Sequence, residues 1–161
     1  MNEKQELAKK AYQLAYDYDV EYGCCPQCVL LAVKETIGYV TDDVIKASHT
    51  LSGGGGLLGY GSCGAITGGL LALGAKFGRD VEGFGKGKYM KSFMSAKKLI
   101  KLVEDEFDDA CTCDDVQKNC HGKTYNMWDA KEITELKNEE FVNYCAHMTG
   151  KIAEWCVEMM A

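Results

Sequence analysis

Nine cysteines are spread through these 161 residues, and their grouping predicts metal or redox chemistry. Cys24, Cys25 and Cys28 form one close group, and Cys111 and Cys113 form another. A single buried cysteine can behave as a small apolar residue, but thiols clustered this closely indicate metal ligands or a redox pair. The odd number of cysteines also argues against a framework made only of structural disulfides.

Cys63 lies where a glycine-rich loop leads into an apolar helix, which is predicted from about residue 63 to 77. Backbone amides at the start of a helix stabilise negative charge, so we expect them to lower the pKa of this thiol. Gly61 and Gly64 flank the cysteine and are candidates for contact with a cofactor. Gly59, Gly61 and Gly64 also fit the dinucleotide-binding fingerprint, but that fingerprint needs a preceding strand, and the pattern predicts none.

Apolar residues recur at helical spacing through most of the chain, which predicts an all-α fold with one helical-bundle domain over 1–161. Helices are predicted at about 3–18, 26–38, 42–51, 63–77, 89–107 and 141–159. The stretches expected to be irregular, and to carry function, are 53–62, 78–87 and 108–130.

The same spacing predicts which face of each long helix is buried. On the first helix the predicted face is Leu7, Ala11, Leu14 and Tyr18. On the helix at 89–107 it is Tyr89, Phe93, Ala96, Ile100, Val103 and Phe107. On the last helix it is Phe141, Cys145, Met148, Ile152, Trp155 and Met159. Cys145 should therefore face inward, whereas Cys156, about 16 Å farther along that helix, is expected to pack in the core instead of joining the same site.

The helix at 63–77 has a face with almost no side chains. Gly64, Gly68 and Ala72 lie four residues apart, so another backbone or a bound group can approach this face closely. Two interpretations are open: the face packs against another helix, or it packs against a cofactor or a dimer partner.

The composition narrows the partners and the compartment. A net charge of −6 argues against nucleic acid, because phosphate binding needs a basic face. No apolar run is long enough to cross a bilayer, and the first residues do not form a signal peptide. We therefore expect a soluble cytoplasmic protein with no membrane or nucleic-acid partner, in a compartment that keeps thiols reduced.

Four separated cysteine blocks resemble the C_GCAxxG_C_C family over about residues 12 to 160. The blocks are Cys25-Pro26-Gln27-Cys28, Gly61-Ser62-Cys63-Gly64-Ala65, Cys113-Asp114-Asp115-Val116-Gln117, and Cys145 with Gly150-Lys151 after it. The resemblance implies that the recurrent cysteines of the family fall on Cys25, Cys63, Cys113 and Cys145. It also implies a helical fold related to the part of split-Soret cytochromes that carries the iron–sulfur centre.

This resemblance implies an iron–sulfur cluster held by those four cysteines, in a homodimer that transfers electrons or reduces a substrate in an anaerobic cell. Cys24, Cys28, Cys111 and Cys120 are additional candidate ligands, since each lies within a few residues of a family cysteine or follows one along the same segment. No haem is expected, because the chain lacks the C-x-x-C-H attachment motif. The redox partner or small-molecule substrate is not indicated.

Two other functions remain open at this point. Cys25 and Cys28 are three residues apart at a predicted helix start, where both could share one face, and with Cys63 they could form a thiol–disulfide oxidoreductase. The dispersed thiols could also hold a structural zinc ion, although their spacing is not that of a standard zinc finger.

Overall fold

The computed structural model describes residues 2–161, and the regular elements of that range are all helical, as predicted. The eight α-helices are α1 (Glu3–Tyr22), α2 (Cys25–Ile37), α3 (Asp42–Ser48), α4 (Gly64–Phe77), α5 (Met90–Glu106), α6 (Cys113–His121), α7 (Ala130–Leu136) and α8 (Glu139–Met160). Two short 3-10 helices lie at His49–Gly54 and Val81–Gly83. Within residues 2–161, no helix combines the length and the apolar character needed to cross a membrane.

Capping residues set the helix boundaries and explain two differences from the prediction. α1 runs past its predicted end because the first break comes at Gly23, whose φ is 68°. The stretch 108–130, predicted to be irregular, contains α6. This helix begins there because Thr112 and Asp115 form a capping box, in which each side chain accepts a 3.0 Å hydrogen bond from the backbone N–H of the other.

The buried face of α1 differs from the predicted one. Its buried residues are Ala8, Ala11, Ala15 and Asp19. Leu7, Leu14 and Tyr18 are only half-buried. A row of alanines lets α8 approach closely: a Cβ on Gly150 of α8 would lie 2.8 Å from the Tyr12 ring and 3.0 Å from its carbonyl oxygen. The prediction is confirmed for Ala11, and Leu7 and Leu14 still pack against the core. It missed the other buried positions because it followed the largest side chains, whereas this helix pair packs through its smallest ones.

The predicted buried face of α8 is confirmed more fully than that of α5. On α8, Phe141, Met148, Ile152 and Trp155 are buried as expected. On α5 only the second half enters the core, whereas Phe93 is 64% exposed. The first half of α5 extends beside the end of α4, so its predicted apolar face is not covered by the bundle.

Candidate metal centre

α2 and α4 cross closely at their N-terminal ends, and this crossing brings Cys25 and Cys63 together. A Cβ on Gly68 would lie 2.8 Å from both the α-carbon and the carbonyl oxygen of Pro26. A Cβ on Gly64 would lie 2.8 Å from the Cδ of the same proline. Both distances are below ordinary van der Waals contact, so only glycine fits. The small-residue face of α4 therefore packs against another helix of this chain.

The glycine-rich loop pairs with the segment that leads into α6, and this pairing brings Cys63 beside Cys113. Three backbone hydrogen bonds join the segments: Cys63 N–H to Cys111 O (2.8 Å), Cys113 N–H to Gly61 O (3.2 Å) and Asp114 N–H to Gly59 O (2.8 Å). Gly61 also packs against the carbonyl group of Gly54, which leaves no space for a side chain. The loop thus positions the two thiols through its backbone.

These contacts build one cavity of about 350 Å³ whose wall contains five thiols. The five are Cys24, Cys25, Cys63, Cys113 and Cys145, from the start of α2, the start of α4, the start of α6 and the first half of α8. Gly64 lines the cavity as well, whereas Gly61 lies outside its wall. The thiols surround the cavity: across residues 2–161, no three His, Cys, Asp or Glu side chains are placed to hold a single metal ion.

The electrostatics of the cavity favour neutral thiols when nothing positive is bound. Burial raises the pKa of Cys63 to about 12, although the backbone N–H groups of Ala65 and Ile66 act in the opposite direction. The expectation that the helix start lowers this pKa was wrong, because the loss of hydration outweighs the amides. Burial also raises the pKa values of Cys25 and Cys145 well above the usual range, and neighbouring thiols and a carboxylate add to it.

That carboxylate belongs to Asp19, a residue that the sequence analysis did not select. Its side chain is only 8% exposed, lines the cavity, and accepts a 2.8 Å hydrogen bond from Thr149 Oγ1. Burial raises its pKa, while hydrogen bonds from Thr149 and from the Cys25 thiol lower it in part. The alanine row of α1 continues at helical spacing to this aspartate, and that pattern was the available signal.

Gln117 is a second residue that was missed. It is fully buried, and its Nε2 donates to the sulfur of Cys113 over 3.5 Å. Its Oε1 accepts a 2.8 Å hydrogen bond from the backbone N–H of Tyr125, so both ends of the amide are held. The signal in the sequence was a polar residue four positions after Cys113, on the same face of α6.

The remaining thiols lie outside this cavity. Cys28 is buried and lines a second cavity of about 270 Å³, which it shares with Cys24. Cys111 and Cys120 are half-buried and line neither cavity. Cys156 is fully buried in the core, where its thiol donates to the carbonyl oxygen of Gly69 over 3.6 Å, as a packing residue would.

The structure places the two cysteines of the predicted Cys25–Cys28 pair at different cavities. Cys25 lines the larger cavity and Cys28 the smaller one, although three residues separate them on α2. Both are free thiols, and the pairing expected from their spacing stays a prediction. Cys24 borders both cavities, together with Tyr22 and Gly23 before it.

Comparison with known families adds one match. Residues 23–159 match the family model described as "Putative redox-active protein (C_GCAxxG_C_C)", and this range contains all nine cysteines. No curated protein and no solved structure matches the chain. The resemblance drawn from the four cysteine blocks is thereby confirmed.

Proposed function

The chain belongs to the C_GCAxxG_C_C family, described as redox-active, and we propose that it holds an iron–sulfur cluster through Cys25, Cys63, Cys113 and Cys145. One observation carries the proposal: thiols from four segments far apart in sequence line a single cavity. Iron–sulfur clusters are held by cysteine thiolates, commonly four. When bound, such a cluster supplies one-electron transfer.

The residues present fit this group in size and in charge. The cavity of about 350 Å³ has room for a group larger than one ion, and its wall alternates thiols with apolar side chains such as Val116 and Phe141. Four thiols and the Asp19 carboxylate would be strongly disfavoured as anions in such a site unless a positive group compensated them. Iron ions provide that compensation, since a coordinating thiol is deprotonated outright.

Two further residues, Gln117 and Asp19, contact the proposed ligand thiols. The Nε2 of Gln117 donates to the sulfur of Cys113, and such hydrogen bonds stabilise negative charge on a ligand sulfur. The Asp19 carboxylate lies beside Cys25. Its negative charge would disfavour the addition of an electron to the cluster. These two groups act in opposite directions on the ease of reduction, so the chain itself contributes to setting the potential.

The two alternatives receive different support from the geometry. A thiol–disulfide oxidoreductase built on Cys25, Cys28 and Cys63 would need three thiols in reach of one another, and Cys28 faces another cavity. A zinc protein would need several of these thiols around one ion, and no three His, Cys, Asp or Glu side chains of residues 2–161 are placed in that way. Electron transfer is therefore the function that we propose. The homodimer, the anaerobic host and the redox partner stay predictions from the family resemblance.

Anaerobic purification followed by metal analysis separates these functions. We expect iron and acid-labile sulfide in comparable amounts, with broad visible absorption that bleaches when the protein is reduced. A colourless protein that contains zinc would replace the proposal with the structural zinc site. A colourless protein without metal would leave only thiol chemistry.

A further inference from the structure

The second cavity lies on the other side of the start of α2 and is lined by two cysteines. It has a volume of about 270 Å³ and lies between α1, α2, α3 and the 3-10 helix that follows α3. Cys24 is half-exposed at its wall, whereas Cys28 is only 3% exposed. An accessible thiol beside a buried one is the arrangement that thiol–disulfide exchange uses, since one sulfur meets the substrate and the other resolves the intermediate.

The backbone keeps these two cysteines within one helical turn. The N–H of Cys28 donates to the carbonyl oxygen of Cys24 over 3.3 Å, which closes the first turn of α2. Both residues line the same cavity, and a disulfide needs their Cβ atoms about 3.8 Å apart. A change in the backbone of Cys24, which precedes the first helical residue, would bring the two side chains together.

The residues around Cys24 permit such a movement. Cys24 is the N-cap of α2 with a left-handed φ of 62°, a conformation that few side chains adopt without strain. Gly23 precedes it, and no atom lies within 4 Å of the position that a Cβ on this glycine would take. The Cys28 thiol already donates to the carbonyl oxygen of Gly23 over 3.0 Å, so it points toward the segment that would move.

We propose that Cys24 and Cys28 form a redox-active dithiol that reduces a low-molecular-weight disulfide bound in the second cavity. This inference rests on the proposed cluster as the route by which electrons return to the pair. Cys24 borders both cavities, so it lies between the proposed cluster site and the proposed substrate site, as do Tyr22 and Gly23. Nothing else that the structure describes in the second cavity contributes a thiol.

The lining of the second cavity indicates the substrate class. Tyr18, Leu31 and Ile45 supply apolar surface, and Gln27 and His49 supply polar groups at its edge. A space of about 270 Å³ accepts a small disulfide with short arms and excludes a folded protein. We therefore expect a neutral compound such as 2-hydroxyethyl disulfide to serve as a probe.

The reaction balances in three steps. The Cys24 sulfur attacks one sulfur of the substrate, whose S–S bond breaks, and the proton of the Cys24 thiol passes to the departing sulfur, which leaves as the first thiol product. The Cys28 sulfur then attacks the Cys24 sulfur, which forms the Cys24–Cys28 disulfide, and the proton of the Cys28 thiol passes to the second departing sulfur, which leaves as the second thiol product. The protein disulfide returns to the dithiol by taking up two electrons and two protons. A one-electron donor protein supplies the electrons, and a cluster held by Cys25, Cys63, Cys113 and Cys145 would relay them one at a time.

Peptide mapping of the anaerobically purified protein tests the exchange steps. The tryptic peptide 11–34 contains Cys24, Cys25 and Cys28, because no lysine or arginine lies between Lys10 and Lys34. After treatment with 2-hydroxyethyl disulfide and denaturing alkylation, wild-type peptide should carry one alkyl group and have lost two hydrogens. Cys28→Ser should instead trap the mercaptoethanol adduct on Cys24, and Cys24→Ser should give neither product. Cys120→Ser, a half-buried thiol outside both cavities, is the matched control.

Three alkyl groups on the treated wild-type peptide, or an adduct that persists in Cys24→Ser, would overturn the inference. A second measurement tests the link to the cluster: with a reduced one-electron donor, the oxidised wild type should regain two thiols, and Cys145→Ser should not. Failure of the iron-loaded wild type to regain them also overturns it. An iron-free wild type that still forms the disulfide would refute the proposed cluster and the electron route, while leaving the dithiol itself standing.

Discussion

Gly68 of α4 lies directly against Pro26 of α2, so that a Cβ on the glycine would be 2.8 Å from the proline α-carbon. This contact involves two backbones, which cannot give way as a flexible side chain would. It fixes how the starts of α2 and α4 meet, and with them the positions of Cys25 and Cys63. A glycine inside a helix normally lowers the stability of that helix. Here Gly68 permits the close contact that sets the geometry of the site.

The first prediction is that Gly68→Ala destabilises the protein by about 1 to 3 kcal/mol, the usual cost of overpacking, and lowers the iron content. Gly74→Ala on the same helix is the matched control, because nothing lies within 4 Å of its added Cβ. That control should gain about 0.5 to 1 kcal/mol, since alanine favours a helix over glycine. Urea unfolding and iron analysis measure both. Equal behaviour of the two variants would contradict the role of the crossing.

The second prediction compares two cysteines of α8. Cys145 lines the cavity, whereas Cys156 packs in the core against Gly69. Cys145→Ser should lose most of the iron, because the cavity then lacks one of its four family thiols. Cys156→Ser should keep its iron and lose stability on the order of 1 kcal/mol, the cost of burying a more polar group. The reverse pattern in iron content would remove Cys145 from the ligand set.

The third prediction concerns Gln117, whose Nε2 donates to the sulfur of Cys113. Gln117→Met keeps an unbranched side chain but removes the donor, so the reduced state loses a stabilising hydrogen bond. We expect the iron to remain bound and the reduction potential to fall. A net hydrogen bond contributes about 1 kcal/mol, which corresponds to some tens of millivolts. A spectroelectrochemical titration measures this, and an unchanged or higher potential would be inconsistent with the assigned role.

The fourth prediction uses the buried carboxylate of Asp19 in the metal-free protein. Burial raises its pKa above the value in the unfolded chain, so the folded state retains the proton more readily. Stability therefore falls as pH rises from the unfolded pKa toward the folded one, and the deficit persists at higher pH. Asp19→Asn should remove this loss, and its Oδ1 can still accept the hydrogen bond from Thr149.

Urea unfolding of the metal-free protein at several pH values measures this effect. The stabilisation by Asp19→Asn should be largest at neutral pH and should disappear below the unfolded pKa. Asp17→Asn, on an exposed position of the same helix, is the control and should change little. A gain in Asp19→Asn that is as large in acid as at neutral pH would show that the carboxylate charge is not its cause.

Much of the fold could be predicted from the sequence, because apolar residues recur at helical spacing along the long amphipathic helices. The core residues of α8 and the second half of α5 follow that pattern. α6 was missed because its start depends on a capping box between Thr112 and Asp115 in a stretch with little apolar periodicity. The face of α1 was predicted only in part, because close packing through alanines leaves no large apolar residue as a marker.

The candidate site could be predicted in part. The four family cysteines were selected by their resemblance to known blocks, and the structure brings them to one cavity. The roles of Asp19 and Gln117 depend on contacts between distant segments, which spacing within one helix cannot show. The placement of Cys25 and Cys28 at different cavities likewise depends on distant segments, since several elements form the wall of each cavity.

Mössbauer spectroscopy of anaerobically purified protein enriched in iron-57 tests the central claim most directly. It reports the ligands and spin coupling of every iron atom present. We predict spectra of iron in tetrahedral sulfur coordination with coupled spins, at a level that falls sharply in Cys63→Ser and stays unchanged in Cys156→Ser. Iron in an oxygen- and nitrogen-rich environment, or iron whose coordination does not respond to Cys63→Ser, would contradict a cluster held by the four cavity thiols.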